Sequence, residues 1–214
     1  MKSILPFCWL IASAVLMATD PKVTVFDFEA MADGDPPMRE VMVVDGDIQV
    51  KTTASGKVLE IAAAPMLEAN ALLGVSAKGN ASIEARVLTT KSGRSFPRFG
   101  IGVHGQTGYR LYVSPAKKEL QLTKGAVVIK SVPFEWTSEA WTHLKLDVRK
   151  GSGDAWEITA KAWAEGTAEP PAPQMVQEDK GLSGLGRCSL WGTPFAGTPI
   201  DFDDVRVSVE WSGK

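Results

Sequence analysis

Cysteine is almost missing from this chain. Cys8 and Cys188 are the only two in 214 residues, too few for a disulfide-dense fold or a four-cysteine zinc site. Histidine is equally scarce at two, which leaves few nucleophile–base combinations. Neither sign of charge dominates. Lys and Arg number 23 against 25 Asp and Glu, for a formal net charge of −2 and a pI near 5.8. That balance excludes the basic footprint of a nucleic-acid binder. Beyond the N-terminus no apolar run is long enough to span a bilayer. A charged fraction of 22% with 44% hydrophobic residues is ordinary for a folded domain and too mild for disorder.

What is present begins with residues 1–18, which read as an export signal. Lys2 supplies the positive start, Ile4 to Ala18 is uncharged and mostly apolar, and Asp20 follows it. Ala12-Ser13-Ala14 and Ala18 offer cleavage positions. Cys8 lies too early for a lipoprotein anchor. The expectation is an exported protein, periplasmic or extracellular, with no membrane span after cleavage and residues 19–214 as a single domain. Cys188 would then be alone, and it reads as a small buried hydrophobe.

The rest is a succession of short runs with period two. Ser82-Ile83-Glu84-Ala85-Arg86-Val87 and Thr142-His143-Leu144-Lys145-Leu146-Asp147-Val148-Arg149 alternate apolar with polar side chains, as antiparallel strands with one wet face do. Turn chemistry fills the gaps, for example Asp45-Gly46, Ser55-Gly56 and Gly151-Ser152-Gly153-Asp154. The pattern is all-β, a sandwich or barrel of antiparallel strands. Met66–Leu73 carries helix-forming residues and reads as one short helix. Glu165 to Gly184, with Glu169-Pro170-Pro171-Ala172-Pro173, reads as an irregular surface excursion. Asn80-Ala81-Ser82 is a glycosylation tripeptide of the kind that arises by chance.

The ordered set resembles secreted concanavalin A-like lectin/glucanase domains, including laminin G-like modules. Phe26-Asp27-Phe28-Glu29 followed by Gly34-Asp35-Pro36-Pro37 looks like their first strand and turn. Ala81–Val87, Phe99-Gly100-Ile101-Gly102-Val103, Tyr109-Arg110-Leu111-Tyr112-Val113 and Trp141–Leu146 look like the middle, and Asp201-Phe202-Asp203-Asp204-Val205 like the closing strand. The resemblance implies a two-sheet antiparallel β-sandwich of the concanavalin A-like jelly-roll type. That fold hosts lectins, adhesion modules and glycosidases alike.

Most glycoside hydrolysis needs two carboxylates across the scissile bond. The Glu-x-Asp-x-x-Glu strand of the related glucanases has no counterpart here. The Asn-Ser pair that 3-keto-disaccharide hydrolase-like domains carry in their middle strands is also missing from Arg98–His104. The expected function is therefore an exported, non-catalytic lectin-like module for a glycan or another extracellular ligand. The alternatives are a divergent glycoside hydrolase of the same fold and a structural or adhesion module.

Alternation proposes the ligand face. If Ile101, Val103, Leu111 and Val113 face the core, then Arg98, His104, Arg110 and Tyr112 face out, and Arg86 lies opposite Ile83, Ala85 and Val87. Arg86, Arg98, His104, Arg110 and Tyr112 are the candidate ligand-binding residues, since arginine binds carboxylate or sulfate bidentately and an aromatic ring stacks on a sugar. No catalytic residue is assigned. Acidic residues gather at both ends of the chain, where related modules hold a structural calcium ion. The resemblance implies such an ion here, with Glu29 and Asp204 as its ligands. Trp163 is out of phase with Ile158, Ala160 and Ala162, which places it at a sheet rim.

Overall fold

The computed structural model of the chain describes residues 21–64, 67–151, 153–182 and 185–210. The putting-down of strands follows the period-two runs. They are β1 (Lys22–Phe26), β2 (Val41–Asp45), β3 (Ile48–Thr53), β4 (Gly56–Ile61), β5 (Ala69–Lys78), β6 (Ala81–Thr89), β7 (Arg98–Val103) and β8 (Tyr109–Ser114). They continue with β9 (Glu119–Lys124), β10 (Val127–Pro133), β11 (Thr142–Lys150), β12 (Trp156–Ala164), β13 (Met175–Asp179), β14 (Leu185–Thr193) and β15 (Ile200–Val209). Two single-turn 3-10 helices, Gly105–Thr107 and Pro115–Lys117, flank β8.

Two sheets result. One has eight strands in the order β13-β12-β11-β6-β15-β4-β3, with β1 also paired to β15. The other has seven in the order β10-β9-β8-β7-β14-β5-β2. Every strand pairing is antiparallel. The bulge in β15 between Asp203 and Arg206 divides its outer edge, so Ile200–Phe202 pair with β4 and Val205–Val209 with β1. The first and last described strands are thus neighbours, as the jelly-roll reading requires.

The core lies between the sheets. Ile83, Ala85 and Val87 from β6 and Leu144, Leu146 and Val148 from β11 meet Phe99, Ile101 and Val103 from β7 and Leu120 and Leu122 from β9 in one buried cluster. Each such side chain contributes about 1.5–3 kcal/mol by leaving water. A polar tie crosses from sheet to sheet at the β13 edge. The Tyr109 hydroxyl donates to Asp179 Oδ2 at 2.9 Å, and the Lys124 ammonium donates to the same oxygen. Cys188 is buried, and burial pushes its thiol up to about 12, so it behaves as the small hydrophobe expected.

Three local readings change. Residues 69–73, read as part of a helix, belong to strand β5, with Ala69, Ala71 and Leu73 buried. Their two-residue spacing fits the slot between β14 and β2, and that tertiary pairing overrides helix propensity. The excursion after Glu165 contains an edge strand, β13, which begins past the prolines. Strand β1 ends at Phe26, so Asp27 and Glu29 lie beyond it in a turn. The export signal at 1–18 lies outside the described residues.

Asn80 is a clasp. Its Nδ2 donates to Glu210 Oε1 and its Oδ1 accepts from the Lys150 amide, both at 2.6 Å. Both ends of the side-chain amide are used in holding three strand ends together.

Candidate functional site

The outer face of the seven-stranded sheet carries a compact polar and aromatic cluster. Its floor is β7, where Gly100 pairs with Tyr112 and Trp191, and Gly102 with Arg110 and Ser189. The two glycines make room for neighbours to lie across the strand. A Cβ on Gly102 would come 2.5 Å from Ser189 Oγ, 3.1 Å from Trp191 Nε1 and 3.3 Å from Arg110 Cγ. A Cβ on Gly100 would come 2.8 Å from Tyr112 Cδ1.

Over this floor two arginines stack on two rings. The Arg110 guanidinium lies 3.4 Å from the Trp191 ring centre, and that of Arg98 lies 3.5 Å from the Tyr112 ring centre. Such contacts contribute about 0.5–2 kcal/mol each and fix the plane of the guanidinium. Glu68 converges on both arginines. Its Oε1 accepts from the Tyr112 hydroxyl at 2.8 Å and from Arg98 Nη1 at 3.4 Å, and its Oε2 is 3.8 Å from Arg110 Nη1. Arg98 Nη2 reaches Gln121 Oε1 at 3.5 Å, while Gln121 Nε2 donates to Glu119 at 3.1 Å. Arg110 also donates to the Gln106 carbonyl and, at 3.3 Å, to Tyr112 Oη. Trp191 Nε1 donates to Ser189 Oγ at 2.7 Å.

Exposure sorts these groups into two layers. Tyr112, Trp191 and Arg110 are 1%, 3% and 8% exposed, whereas the Arg98 and Glu68 side chains are 26% and 38% exposed. The buried layer is a rigid base and the exposed pair is what a ligand meets. Burial raises the Tyr112 phenol above its ordinary pKa, the Glu68 charge adds to this and Arg110 opposes it. Tyr112 therefore stays protonated and acts as a donor. The arrangement offers hydroxyl groups both donors and acceptors side by side.

Of the five candidate ligand residues, the structure brings together Arg98, Arg110 and Tyr112. Arg86 projects outward too, but from the other sheet. It stacks on Trp141 at 4.5 Å and pairs with Asp203 at 2.7 Å and Asp204 at 2.9 Å. His104 leaves the face because its backbone turns left-handed at φ 59°. Its Nε2 donates to the Gly79 carbonyl at 2.9 Å and its ring meets Trp156 edge-on. Burial lowers the His104 pKa, against the pull of that hydrogen bond. Glu68 and Trp191 are the site residues that sequence reasoning missed, while Gln121, which alternation places opposite Leu120 and Leu122, stood on the outward face but outside the five candidates. Trp191 alternates out of phase with Cys188 and Leu190, which was the available signal. Glu68 had none, lying just before a strand that reads as a helix.

The expected calcium ligands are not gathered into one set. Glu29 Oε1 accepts the Lys57 amide at 2.9 Å, and Asp204, at the β15 bulge, faces Arg86. The like charges of Asp203 and Asp204 are answered by that guanidinium. Among the described residues no group of three or more His, Cys, Asp or Glu side chains comes together to hold a metal ion. Trp163 lies on the outer face of the eight-stranded sheet, stacked on His143 at 5.0 Å and 5°.

Asp201 stands apart on that same sheet. It pairs with Leu88 of β6 and Glu60 of β4, and its Oδ1 is buried without a hydrogen-bond partner. Burial first, and Glu60 second, raise its pKa to about 6, against the attraction of Lys51. Its pKa is thus higher folded than unfolded, so the folded state binds the proton more tightly. Stability is lost as pH rises from about 4 to about 6 and stays lost above. Asp201→Asn should therefore be more stable than the parent above pH 6, by about 1–2 kcal/mol after allowing for its partial exposure. The gap should close by pH 4. Denaturant melts across pH check this, and an equal gap at pH 4 and 8 would contradict it.

No family model matches the chain, and no curated protein matches it in sequence. Solved structures do. The carbohydrate-binding module CBM66 from Bacillus subtilis superposes with a TM-score of 0.53 at 17% identity, over 78% of this chain and 94% of that one. A protein of unknown function from Shewanella oneidensis MR-1 gives 0.55 at 10% identity over 98% of both chains. The carbohydrate recognition domain of Emp46p in its potassium-bound form gives 0.54 at 8% identity, over 85% of this chain and 94% of that one. At these identities the likeness is one of fold, the antiparallel two-sheet jelly roll of concanavalin A-like lectin domains. Among the described residues no helix is long and apolar enough to cross a membrane.

Proposed function

We propose that this chain is an exported, non-catalytic glycan-binding module whose ligand lies on the outer face of the seven-stranded sheet, against Arg98 and Glu68. The observation that carries this reading is the pair of stacked arginines converging on one partly exposed carboxylate. A sugar hydroxyl donates and accepts at once, so two adjacent hydroxyls need a donor beside an acceptor. Arg98 N–H and Glu68 Oε1 are such a pair. Their own contact, at 3.4 Å, is long for a hydrogen bond, and a ligand can replace it at little cost. The buried tyrosine, tryptophan and second arginine hold the pair in place before binding, which lowers the entropy of association. The likeness in fold to a carbohydrate-binding module and a carbohydrate recognition domain supports the same reading. The absence of a paired-carboxylate motif supports binding without cleavage. Arg86 already pairs with Asp203 and Asp204 of the closing strand, where the resemblance implied an ion.

A glycan array followed by calorimetry on the best ligand tests the reading. Arg98→Ala, whose side chain is partly exposed, and Glu68→Gln, which keeps an acceptor for the Tyr112 hydroxyl, should each weaken binding at least tenfold while melting within a few degrees of the parent. No sugar should be released on long incubation. Full affinity in both variants would remove the site from this face. Release of product would make the protein an enzyme, and no binding by the parent would leave a structural or adhesion module.

A further inference from the structure

The polar pair does not stand at a flat surface. Beside it lies a groove of about 340 Å³ whose walls include Phe96, Pro97, Arg98, Ser114, Gln121 and Phe195. That volume is at the lower end of the range for small-molecule sites, about 300–1,000 Å³. Arg98 and Gln121 belong to the groove and to the hydrogen-bonding cluster at once, so the two are continuous. Their chemistry differs. The cluster offers hydrogen bonds, whereas most of the groove is apolar.

Phe195 is the telling residue. Phe26, Phe28, Phe99 and Phe202 are each 3% exposed or less, but Phe195 is 49% exposed. It sits on the β14–β15 connection, where the Phe195 amide bonds the Thr193 carbonyl and the Gly197 amide bonds the Pro194 carbonyl, each at 2.9 Å. The ring is therefore presented by a tied turn. Across the groove Val128, on edge strand β10, is 47% exposed. An exposed ring continuous with a hydroxyl-binding pair suits a ligand with both hydroxyls and a C–H face, which is a pyranose or furanose ring.

We propose that the glycan site continues past Arg98 into this groove, and that its ligand is an oligosaccharide of at least two units. One unit places its hydroxyls on Arg98 and Glu68, and the next lays its C–H face on Phe195. A single sugar held by the polar pair leaves the Phe195 ring in water. This inference rests on the glycan reading above and adds the length of the ligand.

Calorimetry separates the two. The probes are gluco-, manno-, galacto- and fructo-oligosaccharides of one to four units, with uronic-acid oligosaccharides of the same lengths as the charged arm. For the series that binds the parent, affinity should rise at least tenfold from one unit to two. Phe195→Ala should lose that rise and keep the single-unit affinity, which also shows that the variant is folded. Arg98→Ala should weaken every length. Equal affinity at all lengths or an undiminished rise in Phe195→Ala would each overturn the extension while leaving a glycan site. If no oligosaccharide binds the parent, the glycan reading fails, and the extension with it.

Discussion

Replacing Gly100 with alanine should lower the melting temperature by about 5–10 °C and abolish the glycan binding proposed above. The added Cβ would lie 2.3 Å from the Leu111 carbonyl oxygen and 2.8 Å from Tyr112 Cδ1. The first contact is with backbone, which cannot swing aside as a flexible side chain can. β7 and β8 must separate locally, at the centre of the sheet, where β7 is also paired to β14. Overpacking of this kind costs about 2–3 kcal/mol, and for a chain of this size each kcal/mol moves the melting point by about 2–4 °C. The functional loss follows because the Tyr112 ring is the platform on which Arg98 lies. Gly151→Ala is the control, since its Cβ would meet only the Ala155 carbonyl at 3.4 Å. Calorimetric melts and a binding titration on both variants check the result. A Gly100→Ala protein that melts and binds like the parent would show that the face does not depend on this close approach.

Asp179→Ala should cost about 2–3 kcal/mol at neutral pH, through the tie between the sheets. Asp179 lies on β13, at the edge of the eight-stranded sheet, and holds Tyr109 and Lys124 of the other. Removing it leaves a tyrosine hydroxyl and an ammonium near the sheet edge without their acceptor. The pH dependence has a definite sign. Burial works to raise the Asp179 pKa, but the hydrogen bonds from Lys124, the Gly181 amide and Tyr109 outweigh it, and the folded value falls below the ordinary 3.8. The stabilisation is therefore complete above the unfolded pKa and is lost as pH falls through the lower, folded value. The difference between parent and variant should be constant from pH 5 to pH 7 and shrink below pH 4. A difference that grew on acidification would contradict the assignment.

Alternation made the inward and outward residues of β6, β7, β8 and β11 legible, because a side-chain period of two has only two answers. It says nothing of which sheet a strand joins. Arg86 and Arg98 both face out, as expected, yet they lie on opposite sides of the molecule. The face was thus half legible. Arg98, Arg110 and Tyr112 share it because β7 and β8 are joined through a single 3-10 turn and pair directly. His104 was lost to one left-handed residue at the end of β7, a conformation that no pattern of hydrophobicity reports. Glu68 was lost because the residues after it favour a helix in isolation and a strand only once β14 and β2 flank them. β13 was hidden behind a proline-rich stretch that reads as loop to its end.

The pairing of β1 with β15 bears on how this molecule responds to force. Lys22 is opposite Val209, and Phe26 is opposite Val205, so both outer ends of the pair emerge on the same side. Tension applied at those two ends does not shear the ladder, with its bonds sharing the load. It peels the strands apart one residue pair at a time, starting from Lys22 and Val209. Release of β1 leaves Arg206–Val209 of β15 held by β6 alone, while Ile200–Phe202 remain held by β4 on one side and β6 on the other. A domain strung between two anchors through these ends would yield there first, and the face built on β7, β8 and β14 would be the last part to feel the pull.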